Sequence, residues 1–307
     1  MKTALLFAGQ GSQYVGMGRD ICAISERSRQ LFARANETLG RDLRQICFEG
    51  PEALLTQTDN AQPGIFLTSI ACWEALRERL PQLQFEATAG LSLGEFTALT
   101  VAGMVGFEDA LRVVQARGRY MQEACEATDG SMASVMGMEE EALAAVCREV
   151  DVDLANLNCP GQIVISGAKD KIVKAVELAK TRGAKRAIPL QVAGAYHSRL
   201  MAGAQVKLAA ALADVVLQPS ATLVVHNVTA RPAGDAAAIK ELLVRQVTSS
   251  VRWSDSIQWL IAQGFTRFIE LGPGNVLSGL MRRIDGSVTM LNVSDGASLE
   301  ATVAKLS

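Results

Sequence analysis

Short apolar runs separated by helical stretches set the first expectation for this chain. Residues 4–7, 163–165, 223–225 and 268–271 read as buried strands, with amphipathic stretches between them. That alternation predicts an α/β protein with a largely parallel sheet. Phe85, Ala87 and Ala89 alternate with Glu86 and Thr88, as in a short strand. Leu93, Phe96, Leu99 and Gly103 then fall at helical spacing, so a helix opens close behind that strand. A different order fills the middle of the chain: strand 130–137, helix 139–149, strand 153–156, strand 162–166, helix 169–182 and strand 186–190. This is the βαββαβ order of a ferredoxin-like unit. The expected architecture is a hydrolase-like α/β core of residues 1–123 and 192–307, with an inserted ferredoxin-like subdomain at 124–191 and a ligand cleft between the two.

Composition narrows the class. With 307 residues, 49% of them hydrophobic, the chain can bury a large core. Thirty basic residues stand against 32 acidic ones and aromatics are sparse, which leaves no footprint for nucleic acid. Cys22, Cys47, Cys72, Cys125, Cys147 and Cys159 are scattered without a C-x-x-C pair. They read as small core residues of a reduced, cytoplasmic protein rather than as a disulfide framework or a zinc site. No run approaches the 18 or so apolar residues of a membrane span, and the apolar stretch from Thr3 to Gly9 is too short for a signal peptide and reads as a first strand.

The chemistry centres on Gly90-Leu91-Ser92-Leu93-Gly94, a G-x-S-x-G turn between the short strand and its helix. Such a turn presents a serine nucleophile, and its glycines avoid clashes where the backbone reverses. Ser92-x-x-Glu95 is equally a capping box, which would make Ser92 an ordinary helix cap. Only two histidines could serve as base. His226 ends an apolar run and reads as a satisfied core histidine. His197 lies in a loop before an amphipathic helix, where the helix N-terminus disfavours its protonated form and leaves it able to accept a proton. Gly9-Gln10-Gly11-Ser12-Gln13 fits neither a dinucleotide fingerprint nor a P-loop. It reads as a tight turn or as a loop offering backbone N–H groups to an oxyanion.

On a helical wheel of 108–122, Arg117 falls inside the apolar face with Leu111, Val113, Val114, Gly118 and Met121. A buried guanidinium needs a partner, either a carboxylate of the protein or one carried by a substrate. Asn156-x-Asn158-x-Pro160-x-Gln162 reads as a polar turn between strands that could touch ligand. Basic clusters at 169–186 and at Arg282-Arg283 are solvated faces or docking sites for an acidic partner.

Taken in order and spacing, Phe7-Ala-Gly-Gln-Gly-Ser-Gln13, the pentapeptide with Glu95, Arg117-Gly-Arg-Tyr-Met-Gln122, the Asn156–Gln162 stretch, Gly194-Ala-Tyr-His197 and Glu270-Leu-Gly-Pro-Gly274 resemble the malonyl-CoA:acyl carrier protein transacylases nearly end to end. The resemblance implies malonyl transfer in fatty acid biosynthesis by a ping-pong route through malonyl-Ser92. His197 would be base and then acid, oriented by the main-chain carbonyl of Gln246. The N–H groups of Gln10 and Leu93 would form the oxyanion hole, and Arg117 would clasp the malonyl carboxylate. Asn156, Asn158, Gln162 and Tyr196 would line the substrate site, and Arg282-Arg283 would dock the acidic carrier protein. No metal or redox cofactor, no nucleic acid and no membrane enter the scheme, and a monomer is expected. The chain departs from the family pattern at Leu91, where histidine is usual, at Ala8 for proline and at Tyr196 for phenylalanine. A serine hydrolase, a polyketide acyltransferase and a non-catalytic carrier-binding module are the competing readings.

Overall fold

In the computed structural model, which describes residues 1–307, the strands divide between two sheets. In chain order they are β1 (Lys2–Phe7), β2 (Ala87–Gly90), β3 (Gly130–Met136), β4 (Asp153–Cys159), β5 (Gln162–Ala168), β6 (Arg186–Pro189), β7 (Leu223–Val225), β8 (Phe265–Leu271) and β9 (Thr289–Val293). The larger sheet has the order β7-β2-β1-β8-β9, and all its pairings are parallel. Helices cover it, so β1 and β2 are buried on both faces, β1 with the continuous apolar run Ala4–Phe7 and β2 with the small residues Ala87-Thr88-Ala89-Gly90. The helices Thr58–Arg79 and Phe107–Glu126 pack closely, and a Cβ on Gly118 would meet the Thr58 carbonyl oxygen at 2.8 Å. This contact turns the buried face of the second helix, Arg117 included, toward the first.

The smaller sheet is antiparallel, in the order β4-β5-β3-β6. Within the βαββαβ unit this is second-third-first-fourth, the ferredoxin-like order. Helices Glu140–Val150 and Lys169–Thr181 bury Leu143, Val146, Ile172 and Val176 against it. One expectation is corrected here: the strand expected to end at Asn156 runs on through Cys159, so Asn158 is a strand residue too and the turn shrinks to Pro160-Gly161. Gly161 takes φ 69°, which a two-residue reversal favours. Ala155, Asn156 and Leu157 are all buried and register shifts at Ala155 and Asn158 interrupt the pairing with β5, so the strand carries no clean period-two pattern. All six cysteines are free and buried. No helix is long and apolar enough to cross a membrane.

Candidate active site

The Gly9 loop and the Ser92 turn leave the C-terminal ends of the adjacent parallel strands β1 and β2, where ligand sites of open α/β sheets form. The turn is as tight as its glycines require. A Cβ on Gly90 would stand 1.9 Å from the Gly94 backbone, and one on Gly94 would stand 2.2 Å from the Phe7 carbonyl oxygen. Ser92 itself adopts φ 54°, a left-handed conformation that costs a non-glycine residue about 1–3 kcal/mol and recurs at functional turns. The helix Gly94–Val101 receives no side-chain cap, so the capping-box alternative is overturned. The Ser92 hydroxyl points instead at His197 Nε2, 2.8 Å away.

His197 is buried and its two nitrogens face groups of opposite kind. Nδ1 lies 2.8 Å from the main-chain carbonyl oxygen of Gln246, which can only accept, so Nδ1 carries the proton. Nε2 is then the lone pair that accepts from Ser92. Burial first, and then the positive charge of Arg117, lowers the His197 pKa from 6.5 to about 4. The imidazole is neutral as the loop position led us to expect, but the cause is desolvation and a neighbouring guanidinium rather than a helix terminus.

Arg117 is 1% exposed and binds only uncharged groups. Nη1 donates to Gln62 Oε1 at 2.7 Å, and Nη2 donates to Gln246 Oε1 at 2.9 Å and to Ser92 Oγ at 3.1 Å. Its Nε is buried without a partner, and the guanidinium carbon lies 5.6 Å from the centroid of the Phe96 ring. Burial holds its pKa down to about 10, while the charge of Glu95 pulls the other way. Of the two partners the wheel allowed, a carboxylate of the protein is not the one bound.

Glu95, His226, Asn227 and Gln62 complete the assembly, and sequence reasoning gave none of them this place. Glu95 accepts from Asn227 N at 3.0 Å and Gln246 Nε2 at 2.7 Å, and its other oxygen lies 2.7 Å from His226 Nδ1. Asn227 Oδ1 accepts the Ser92 amide at 2.6 Å, and Asn227 Nδ2 donates to the Gly90 carbonyl at 2.7 Å, bracketing the turn from both sides. His226 is thus a satisfied core histidine, as read, with a named partner. Gln62 donates to Gln10 Oε1 at 3.3 Å, joining the Gly9 loop to Arg117. The only signals available were polar residues inside otherwise apolar buried segments.

A cleft of about 940 Å³ opens above Ser92, lined by Gln10, Leu91, Asn156, Asn158, Tyr196 and His197 among others. The main-chain N–H groups of Gln10 and Leu93 donate to no acceptor of the chain. The Tyr196 hydroxyl lies 2.6 Å from Thr58 Oγ1 and accepts from Gln10 Nε2 at 3.3 Å, so it braces the Gly9 loop. Gln162 also lines the cleft, but its Oε1 accepts from Arg283 Nη1 at 2.9 Å. Arg283 further donates to the Pro160 carbonyl, whereas Arg282 points toward a separate surface pocket. Both belong to the helix Val276–Ile284, whose first amides are held by buried Glu270. In the other basic cluster, Lys171, Lys174, Lys180 and Arg182 are paired with carboxylates of the same unit, while Lys169, Lys185 and Arg186 form no ion pair.

A strand-to-helix serine with a histidine base, beside a buried arginine, defines the class: an α/β acyl-transferring enzyme with a serine nucleophile. Comparison with known proteins agrees. The acyl transferase domain model matches residues 4–299. A malonyl CoA-acyl carrier protein transacylase of Bacillus subtilis is 46% identical over 99% of this chain and 97% of its own length. One of Haemophilus influenzae is 38% identical over 98% and 97%. The solved acyl-carrier-protein S-malonyltransferase of Bartonella henselae superposes with a TM-score of 0.95 at 37% identity, covering 100% of this chain and 99% of that one. A malonyl-transacylase solved in complex with a type II polyketide acyl-carrier protein gives the same TM-score of 0.95 at 37% identity, covering 99% and 100%. The chain belongs to the malonyl CoA-acyl carrier protein transacylase family of acyl transferase domains.

Proposed function

We propose that the enzyme moves the malonyl group of malonyl-CoA to the phosphopantetheine thiol of acyl carrier protein, in fatty acid biosynthesis, through a malonyl-Ser92 ester. The observation that carries this reading is Arg117, a buried cation 3.1 Å from the nucleophile with no protein carboxylate bound to it. A site built this way favours acyl groups that bring their own carboxylate, because only they complete the charge pair.

In the first half-reaction Ser92 Oγ attacks the thioester carbonyl while His197 Nε2 takes its proton. The oxyanion is met by the N–H groups of Gln10 and Leu93, and collapse expels the CoA sulfur, which takes the proton from His197. In the second half the carrier thiol gives its proton to His197 and its sulfur attacks the ester carbonyl. Ser92 leaves and recovers the proton. Gln246 holds the imidazole through its main-chain carbonyl, in the place an acidic third member often fills. Asn156, Asn158, Gln162 and Tyr196 line the path of the pantetheine arm, and Arg282 and Arg283 meet the acidic carrier. CoA and phosphopantetheine belong to the substrates, and the chain's own residues supply the chemistry. We read 1–123 with 192–307 and 124–191 as two bodies with the cleft between them, in a monomer of the cytoplasm.

Intact-mass spectrometry after incubation with malonyl-CoA tests the reading. Wild type should gain one malonyl group that persists until carrier protein is added, and Ser92→Ala should gain none. Labelling of the alanine variant would point to another nucleophile, and rapid loss of the ester to water would make the protein a hydrolase. Turnover with fatty-acid against polyketide carrier proteins distinguishes the two pathways.

A further inference from the structure

The dyad has no carboxylate on its histidine, yet a buried carboxylate lies on the far side of Gln246. Glu95 is 1% exposed and sits in the first turn of the helix Gly94–Val101, but it caps nothing in that helix. Its oxygens go instead to His226, Asn227 and Gln246. The Gln246 amide has only one orientation that satisfies its surroundings. Nε2 is surrounded by acceptors, Glu95 Oε2 at 2.7 Å, the Ser92 carbonyl oxygen at 3.0 Å and Asn227 Oδ1 at 3.3 Å. Oε1 is left facing the Arg117 donor at 2.9 Å. The same residue's main-chain carbonyl holds His197. One glutamine therefore touches the turn, the base and the carboxylate grip, and the carboxylate of Glu95 is the anionic and shortest of the contacts that fix which way its amide points.

Resting on the acyl-transfer reading above, we infer that Glu95 is a positioning residue for the reaction: it locks the Gln246 amide and, through that amide, supplies the counter-charge that keeps Arg117 aimed at the acyl site. Arg117 and Glu95 are the charged groups acting on His197, with His226 paired behind Glu95 and the Tyr196 phenol beside the ring in sequence. The charge of Glu95 strengthens proton binding at both Arg117 and His197.

Glu95→Gln is the test, since it keeps the size, removes the charge and brings an NH2 group into a ring of donors. Acylation of Ser92 by malonyl-CoA should fall on the order of 10²-fold, the cost of about an ångström of misplacement, while acylation by acetyl-CoA falls less. The acid limb of kcat/KM should move to lower pH, because His197 keeps the repulsion of Arg117 and loses the attraction of Glu95. A folded variant with wild-type rates overturns the inference. So does equal loss on both acyl donors with an unmoved acid limb, which marks a merely structural carboxylate. If Glu95→Gln does not fold, Gln246→Met removes the relay and keeps the main-chain carbonyl. It should show the same malonyl-selective loss, and an unchanged preference for malonyl over acetyl overturns the inference. Failure of wild type to form malonyl-Ser92 would instead remove the acyl-transfer reading, so the two failures are distinct.

Discussion

The two walls of the cleft are built by opposite rules. On the parallel-sheet side Ser92, Arg117, His197 and Gln246 are all buried, and each makes at least two hydrogen bonds to its neighbours. On the antiparallel side Asn156 is as buried as Ser92, but Asn158 is half-buried and Lys169 is exposed, and neither asparagine side chain bonds to the protein. The first wall is fixed before substrate arrives, so its polar groups meet developing charge without reorganising. The second keeps its donors and acceptors free for whatever lies along it. Damage to the first should therefore appear in kcat, and damage to the second in KM.

Arg117→Ala offers the sharpest break between the walls. Removing one partner of a buried charge pair costs about 2–5 kcal/mol, roughly 30-fold to several thousand-fold. Malonyl transfer should fall by that factor while acetyl transfer is spared or improved, measured by carrier-protein mass after competition between the two acyl-CoA donors. Equal loss on both would make the arginine a packing element, and the first wall would lose its substrate-selecting role.

A smaller and graded effect comes from pH. With His197 lowered to about 4, the base stays neutral through mildly acidic solution, so acylation should hold from pH 7 to about 5 and fall only as pH approaches about 4. Stability follows the same sign. Between 6.5 and about 4 the unfolded chain binds a proton that native His197 refuses, so this group's contribution is intact above that window and is lost as pH falls through it. A break in the acylation profile near 6.5 would mean that the imidazole is solvated and that the first wall is open to water.

What the sequence could disclose divides along similar lines. Period and turn chemistry were enough for β1, β7 and the βαββαβ order, because those signals are local. Arg117 was visible on a wheel, since a cation on an apolar stripe is anomalous whatever lies opposite. The partners of Glu95 were not visible, because it meets Asn227 and Gln246 across 132 and 151 positions of chain, and locally it looks like a helix cap. Asn156 and Asn158 misled for the converse reason. Composition said turn, while the structure runs the strand on through Cys159 past a register shift at Asn158 and leaves both asparagines lining the cleft. The long helix Thr58–Arg79, buried almost all round, carries no amphipathic period to read, so Gln62 within it stayed silent.

On the antiparallel wall, Asn158→Ala should raise KM for malonyl-CoA by roughly 2- to 10-fold at constant kcat, the worth of one ordinary hydrogen bond. A fall in kcat instead would mean that this wall positions the reacting carbonyl as well. The smallest effect is expected at Leu91, where the walls meet. Its main-chain carbonyl accepts from Gly94 N at 3.0 Å, and its side chain lines the cleft with Val276 and Leu280. A Cβ on Gly9 would lie 2.6 Å from the Leu91 carbonyl oxygen and 2.9 Å from Cδ2, so the backbone here is fixed by the turn rather than by the side chain. Leu91→His leaves that backbone in place and adds only a polar group at the rim. The rate should change by no more than about 1 kcal/mol, roughly 5-fold, the worth of one ordinary hydrogen bond gained or lost at the rim. Preference among malonyl-, methylmalonyl- and acetyl-CoA should stay as it is, because Arg117 and not the rim completes the charge pair. A shifted preference in the competition assay would extend the selecting wall to Leu91, and the boundary between chemistry and recognition would have to be redrawn through the pentapeptide itself.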